Sequence, residues 1–415
     1  MARVCLQIQR KMMFEKYDKT LKALEESIDF MLGKEKLFLT ETWGRILAED
    51  IVATFDNPQF ETASMDGYAL RSKDQSLTAL SVIDNLPAGS YKGNLVSKGT
   101  CVKTFTGSLM SEGSDTLLPI ENVEVVDNVI KVITPVKSGF SVRPVGENYK
   151  KGEVLIKKGT KVGYAEIGVM AELGLVQASV YIKPRVAILA TGSEILDFGE
   201  EKENISQIRS SNHVTIEAIM RDQGASTSRL EIVKDNKEKI QKVMLGALNH
   251  SDILITTGGV SVGDFDFVKE VLGDMQIKFI VNGAFIKPGR HIKIVKIGTK
   301  YIFSLPGFPY SSAVVAFLYI LPFLRKISGR EFYLPPTKAY LQEDYHKRSK
   351  YKEFTACNLS TQDGKFMVDL KGKKEGSSAI LNNMLDNAAL LCIDEDTKII
   401  RKHSLVDVII LDFSI

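Results

Sequence analysis

The sequence predicts a multidomain protein of the α/β plus β class: a central parallel α/β sheet domain, two small β domains and a discontinuous mixed domain. Three observations carry that expectation. Short apolar runs at 186–190, 253–257 and 301–305 each lead into a Gly- or Pro-containing corner and then a helix-like stretch. That alternation builds a parallel sheet covered on both faces. Residues 56–140 and 337–415 are instead rich in short strands and turns. At 415 residues, 44% hydrophobic and 25% charged, the chain has material for roughly two to four cores.

The elements follow in chain order. Leu21, Leu24, Ile28 and Met31 recur at spacings of three and four, which predicts a helix closed by Gly33. Residues 14–50 are expected to join residues 141–183 in one mixed domain, interrupted by an inserted β domain at 51–140. Within the insertion, Val123 to Ile133 reads as two runs joined by Asp127-Asn128, a hairpin. Residues 141–183 hold a strand at 154–156, flanked by Lys151-Gly152 and Lys158-Gly159, and a helix ending at Gly174. Residues 184–330 form the sheet domain, with helices at 213–222 and 236–248 and an apolar helix at 313–324. Pro335-Pro336 opens the last unit, 331–415, a barrel-like β domain with a turn at Asp363-Gly364 and a final strand at 404–411.

Composition excludes several functions. Lys+Arg minus Asp+Glu is 54 − 51 = +3, so no bulk field gathers nucleic acid or an acidic membrane. Any anion is held by a local site. Cys5, Cys101, Cys357 and Cys392 are too scattered for a zinc ribbon or a disulfide scaffold and suit a reducing cytosol. The five histidines show no metal-ligand spacing. The apolar stretch 313–324 is about half of what a bilayer demands and contains Pro322. Residues 1–11 are basic, with no apolar h-region after them. The expectation is a cytoplasmic protein with neither a membrane nor a nucleic-acid partner.

Three corners sit on one predicted sheet edge, where such sheets bind ligands. The first is Thr256-Thr-Gly-Gly-Val-Ser-Val-Gly-Asp-Phe-Asp-Phe267. Gly258, Gly259, Ser261 and Gly263 let backbone approach an anion at a helix start. Asp264 and Asp266 either cap that helix or, beside a phosphate cradle, suit Mg²⁺. The second is Ala190-Thr-Gly-Ser-Glu194, placing Thr191, Gly192 and Ser193 beside an acid. The third is Ser304-Leu-Pro-Gly-Phe-Pro309, where Pro306 and Pro309 stiffen the loop. Near them, Ile286-Lys-Pro-Gly-Arg-His-Ile-Lys293 sets Lys287, Arg290 and Lys293 around a Pro-Gly turn. Charge-assisted donors of that kind hold a small tetrahedral oxyanion. Outside the sheet, Ser64-Met-Asp-Gly-Tyr-Ala69 puts Asp66 before Gly67, by itself a turn aspartate.

Together these stretches, with Gly44-Arg-Ile-Leu-Ala-Glu-Asp-Ile51, resemble the MoeA family of molybdopterin molybdenumtransferases, which includes the gephyrin E domain. The order and spacing of the six stretches carry the resemblance across about residues 17–380. The resemblance implies an elongated four-domain homodimer whose sheet domain is of the molybdopterin-binding type. It implies a reaction as well. Molybdate enters the dithiolene of adenylylated molybdopterin, the adenylate is cleaved with release of AMP, and Mg²⁺ is the activator. By family match Asp66, Glu194 and Asp266 fall at acidic catalytic and metal positions. Lys287 and Ser377 fall at positions linked with molybdate or the pterin, and Pro306 and Pro309 in the family's proline loop. Arg290 stands beside Lys287 as a second cation for molybdate. The site is expected between the sheet domain of one subunit and the first β domain of the other. A molybdopterin adenylyltransferase and apo-molybdoenzymes are possible partners.

The sequence departs from the family pattern at Asn148, Ser210, Phe308 and Ala356, where aspartate, aspartate, asparagine and arginine are usual, and lacks a histidine after Ser377. A second reading follows: a paralogue that binds or carries molybdopterin without completing insertion. A third is a different enzyme on the same sheet, such as the adenylyltransferase or a nucleotide pyrophosphatase. Those do not need the Asp66 stretch or two β domains.

Overall fold

The computed structural model describes residues 14–411 apart from 91–92, 260–266, 275–276, 278, 334, 375 and 387. At its centre is a six-stranded sheet. Its order is Ser226–Arg229, Arg185–Ala190, Ile253–Thr257, Lys300–Leu305, Lys293–Ile297, Phe279–Asn282. The first four strands run parallel. The last two are antiparallel, because the Gly298-Thr299 turn folds Lys293–Ile297 back on Lys300–Leu305 as a hairpin, and so the sheet is mixed at one edge.

The three central strands, Arg185–Ala190, Ile253–Thr257 and Lys300–Leu305, are largely apolar because both faces are covered. Val186 and Ile188 point into one core with Ile253, Ile255, Tyr301 and Phe303. Ala187 and Leu189 point into the other with Leu254 and Ile302, under the helix Lys237–His250. That helix starts where the Asn236 side chain accepts from the Lys239 N–H at 2.8 Å. The larger core takes the helix Asn212–Asp222 and the continuous helical run of residues 309–327. The latter is long and apolar enough to cross a membrane by length and composition, yet 72% of its apolar window lies inside the protein. It widens to a π-helical turn at Ala316–Ile320, just before Pro322, whose ring cannot sit in a regular α-helical turn.

The first helix differs from expectation in length and in partner. It spans Tyr17–Ser27 and ends at Ile28, whose backbone is extended; Met31 is 62% exposed. Tyr17, Leu21 and Leu24 pack into the core of the central sheet, not against residues 141–183. A helical apolar stripe states that one face is buried but not against what.

Residues 34–52 do pair with the later segment. Lys34–Phe38 runs antiparallel to Gln177–Tyr181, and Ile51–Val52 to Val154–Ile156, over a core of Leu47, Ile51, Val162, Met170 and Val180. Between them is a six-stranded sheet ordered Thr116–Pro119, Gly67–Leu70, Thr100–Thr104, Leu80–Leu86, Val129–Val132, Val123–Val126. Its last two strands are the Asp127-Asn128 hairpin, with Asp127 at φ 52°.

The C-terminal sheet closes on itself. Lys352–Gln362 pairs with both Lys365–Asp369 and Ala388–Ile393, and Thr337–Leu341 and Leu405–Ile410 complete the ring. Asp363 and Gly364, at φ 50° and 73°, make the tight turn. One further pairing links the barrel to the sheet domain. Ile286–Lys287 runs parallel to the start of Lys352–Gln362 and sets Lys287 opposite Glu353.

Candidate active site

The carboxyl ends of the central strands open into a cleft of about 1020 Å³. Ala190 leads to Thr191-Gly192, Thr257 to Gly258-Gly259, and Leu305 to the Pro306–Pro309 loop, and all three corners line it. They are packed against each other. A Cβ on Gly258, at φ +94°, would meet the Thr191 carbonyl at 2.9 Å, so no side chain is tolerated there.

Of the residues predicted from sequence, Thr191, Gly192, Glu194, Gly258, Gly259, Lys287, Arg290, Pro306 and Pro309 line this cleft. Ser193 stands beside it. Its N–H donates to the Asp235 carboxylate at 2.9 Å, and its hydroxyl oxygen accepts from the Asp235 N–H at 3.1 Å. Ser261, Gly263 and Asp266 lie outside the described residues.

The Lys287–Arg290 turn forms the cationic wall. A Cβ on Gly289, at φ +96°, would collide with Val315, which locks this turn onto the buried helix. Arg290 donates to the Tyr351 hydroxyl at 3.2 Å and to His291 at 3.0 Å, and among the described residues to no carboxylate, so its charge is available to an anion. Lys287 Nζ lies 3.4 Å from Glu353 Oε1. Glu353 is 2% exposed, and the Tyr345 hydroxyl donates to its other oxygen at 2.9 Å.

A second, smaller pocket shares Lys287, Pro288 and Ser378 with the cleft. Ser377 lines this pocket, not the cleft. So do His346, Arg348, Lys373 and Lys374, with Glu353 as the one carboxylate among the residues around it. Ala356 is there as well, its N–H donating to the Tyr310 hydroxyl at 2.7 Å. The cations that surround this pocket are spread over the barrel, and no local sequence pattern marks them.

Asp66 is elsewhere in the chain. It lines a shallow pocket with Met65, Pro119, Ile120, Glu121 and Asn122 on the inserted sheet. The Thr106 N–H and hydroxyl both donate to its Oδ1 at 2.8 Å, and these two bonds hold the carboxyl below the usual aspartate range. The expected metal trio therefore does not gather within one chain. Glu194 lines the cleft, Asp66 does not, and Asp266 is outside the described residues. Among the described residues no group of three or more His, Cys, Asp or Glu could hold a metal ion.

Sequence reasoning missed Asp235 and Asn212 in the cleft wall. Asp235 had a weak signal, an acid just ahead of an Asn helix cap. Asn212 had none. Its amide donates to the Gly307 carbonyl at 2.7 Å and ties a helix start to the proline loop, while its side-chain oxygen is buried with no partner among the described residues.

Comparison with known proteins agrees with this layout. The family model described as "MoeA N-terminal region (domain I and II)" matches residues 15–174, and "Probable molybdopterin binding domain" matches residues 187–326. A molybdopterin molybdenumtransferase of Staphylococcus epidermidis is 31% identical over 382 residues, covering 90% of each chain. The chain belongs to the MoeA family. A Staphylococcus aureus member carrying the same name is 32% identical over 347 residues, covering 82% of this chain and 83% of that one. The crystal structure of the molybdopterin biosynthesis moeA protein from Pyrococcus horikoshii superposes with a TM-score of 0.81 at 30% identity, over 96% of this chain and all of that one. In this member of the MoeA family the three strand-end corners line the cleft, and Ala356 lines the smaller pocket.

Proposed function

We propose that the chain inserts molybdate into adenylylated molybdopterin and cleaves the adenylate to release AMP. At the coarser level it is a transferase of molybdenum cofactor biosynthesis. One observation carries the finer reading. A large cleft rimmed by glycine corners adjoins a small pocket walled by cations, and Lys287 belongs to both. The cleft has the size and glycine lining for a pterin–nucleotide with its phosphates. Lys287, Arg348, Lys373 and Lys374 supply charge for a compact oxyanion next to it. Holding both anions side by side against their repulsion is the main work of such a site.

Mg²⁺ activation belongs to this reading; among the described residues Glu194 and Asp235 are the carboxylates that line the cleft, and they would hold the ion and let it screen the phosphate charge. The reading makes the protein a homodimer in which Asp66 of a second copy completes the site. The exposed Met65 and Ile120, which line the Asp66 pocket, support such a contact. A cytoplasmic location is part of the same reading.

The test is AMP release from adenylylated molybdopterin with molybdate, with tungstate and with neither. Release with an oxyanion and none without it is expected. An adenylate left intact in all three would remove the proposal. The absence of arginine at Ala356 favours a second reading, a molybdopterin carrier. It would bind the pterin in a titration yet release no AMP.

A further inference from the structure

Behind the cleft wall three polar side chains are joined in series. Ser210 Oγ lies 2.6 Å from His213 Nδ1, and His213 Nε2 lies 3.1 Å from Asp197 Oδ1. A carboxylate only accepts, so Nε2 carries the ring proton; Nδ1 must then accept, and the Ser210 hydroxyl donates to it. Each member is held. The Phe198 N–H donates to Asp197 Oδ1 at 2.8 Å, and the Ser210 N–H donates to the Leu196 carbonyl at 2.8 Å. His213 is 1% exposed in the first turn of Asn212–Asp222. Ser210 is half-buried and lines the cleft. The result is an exit from the cleft wall, through a buried ring, to a carboxylate whose side chain is 38% exposed.

We propose that Ser210, His213 and Asp197 form a proton relay that deprotonates an oxygen nucleophile bound in the cleft. The inference rests on the reading that the cleft cleaves a phosphoanhydride. As water or a hydroxylated oxyanion attacks phosphorus, its proton passes to Ser210 Oγ while the Ser210 proton passes to Nδ1. The new O–P bond forms, the bridging P–O bond breaks, and the bridging oxygen leaves with the electron pair. Once product has left, the imidazolium returns its Nδ1 proton through Ser210 to solvent in the cleft, which restores the Nε2–H tautomer held by Asp197. No oxidant or reductant is needed. Ser210 is the catalytic member; His213 and Asp197 act through it as positioning residues.

The ring's surroundings suit a base. The charged groups facing it are Asp197, Arg229 and Glu217. Burial is the largest influence and pushes the His213 pKa below the ordinary histidine value, although Asp197 pulls it up. The ring is therefore neutral at neutral pH and free to take a proton.

The experiment compares the full chain with Ser210→Ala, Ser210→Thr and His213→Gln. Ser210→Ala and His213→Gln are expected to lower kcat for AMP release by roughly 10²-fold with little change in KM, and Ser210→Thr to keep most of the rate. The wild-type rate should fall as acid protonates the ring, and His213→Gln should lose that limb. Wild-type kcat and pH profile in Ser210→Ala, or a loss confined to KM, would overturn the relay. Imidazole nitrogen NMR without substrate is an independent measurement. The Nε2–H tautomer is expected, with an Nδ1 signal that moves in Ser210→Ala. A ring charged at neutral pH, or blind to that substitution, would overturn the proposal. A wild-type chain that releases no AMP refutes the substrate reading instead, and the ring spectra then decide the relay alone.

Discussion

Glu353 shows how one side chain sets the cationic wall. It sits on the barrel strand Lys352–Gln362, opposite Lys287 in register, and its two oxygens take Lys287 and Tyr345. Because it is 2% exposed, deleting its carboxylate removes an acceptor from the buried Tyr345 hydroxyl and leaves Lys287 without its restraint. Glu353→Ala is expected to cost about 2 kcal/mol in denaturant unfolding, less than a fully buried pair because Lys287 remains partly in water. Glu353→Gln keeps an acceptor for Tyr345 and should recover part of the loss. Equal midpoints for wild type and both variants would show that the pairing does not matter to stability. Individual residues of this kind were largely illegible in the sequence. Glycines and prolines of the corners announced themselves, since a buried strand followed by Thr-Gly-Gly has few other uses. Glu353, Lys373, Lys374, Ser210 and His213 act only through neighbours that are distant in sequence or, for Ser210 and His213, set by a helix start that brings them face to face.

Strands and hairpins were legible for a different reason. A run such as Ile253–Thr257 is apolar on both faces, which few solvent-facing elements can be. What holds three of those strands in register at their amino ends is Asp252, which no periodicity reveals. Its carboxylate accepts the Arg185 N–H at 2.9 Å and the Arg185 guanidinium at 2.8 Å, with Lys300 Nζ 3.8 Å away. Burial pushes the Asp252 pKa up, but the hydrogen bonds and charge of Arg185 and Lys300 prevail and hold it below the ordinary aspartate value. A depressed carboxylate pKa adds stability at pH above the unfolded value, and that stability is lost as pH falls through the folded one. Asp252→Asn is thus expected to cost about 1–2 kcal/mol at neutral pH and to flatten the stability profile below about pH 4. Parallel stability curves for the two proteins in acid would contradict the assignment. The first helix marks the limit of reading elements from sequence. Its stripe of Leu21 and Leu24 was plain, while its partner, the central sheet, depends on how distant segments assemble.

At the scale of the whole molecule, the separation of Asp66 from Glu194 decides what a functional unit is. One chain holds Glu194 in the cleft and Asp66 in a different pocket, so on the proposed reading a site that uses both draws them from two copies. A twofold dimer repeats each contact and would build two such sites. Asp66→Ala and Glu194→Ala proteins should each be inactive in AMP release and still folded. When the two are unfolded together, refolded and allowed to pair at random, about half of the dimers carry one of each chain. In those dimers one site combines an intact Glu194 with an intact Asp66, and the other lacks both. The mixture should then regain about one quarter of the wild-type rate, because half of the dimers have one of their two sites restored. Recovery cannot come from a site contained in a single chain, since each chain lacks one of the residues. A mixture as inactive as its parents, in a sample that sizing shows to be dimeric, would assign Asp66 and Glu194 to the same chain's chemistry or to none.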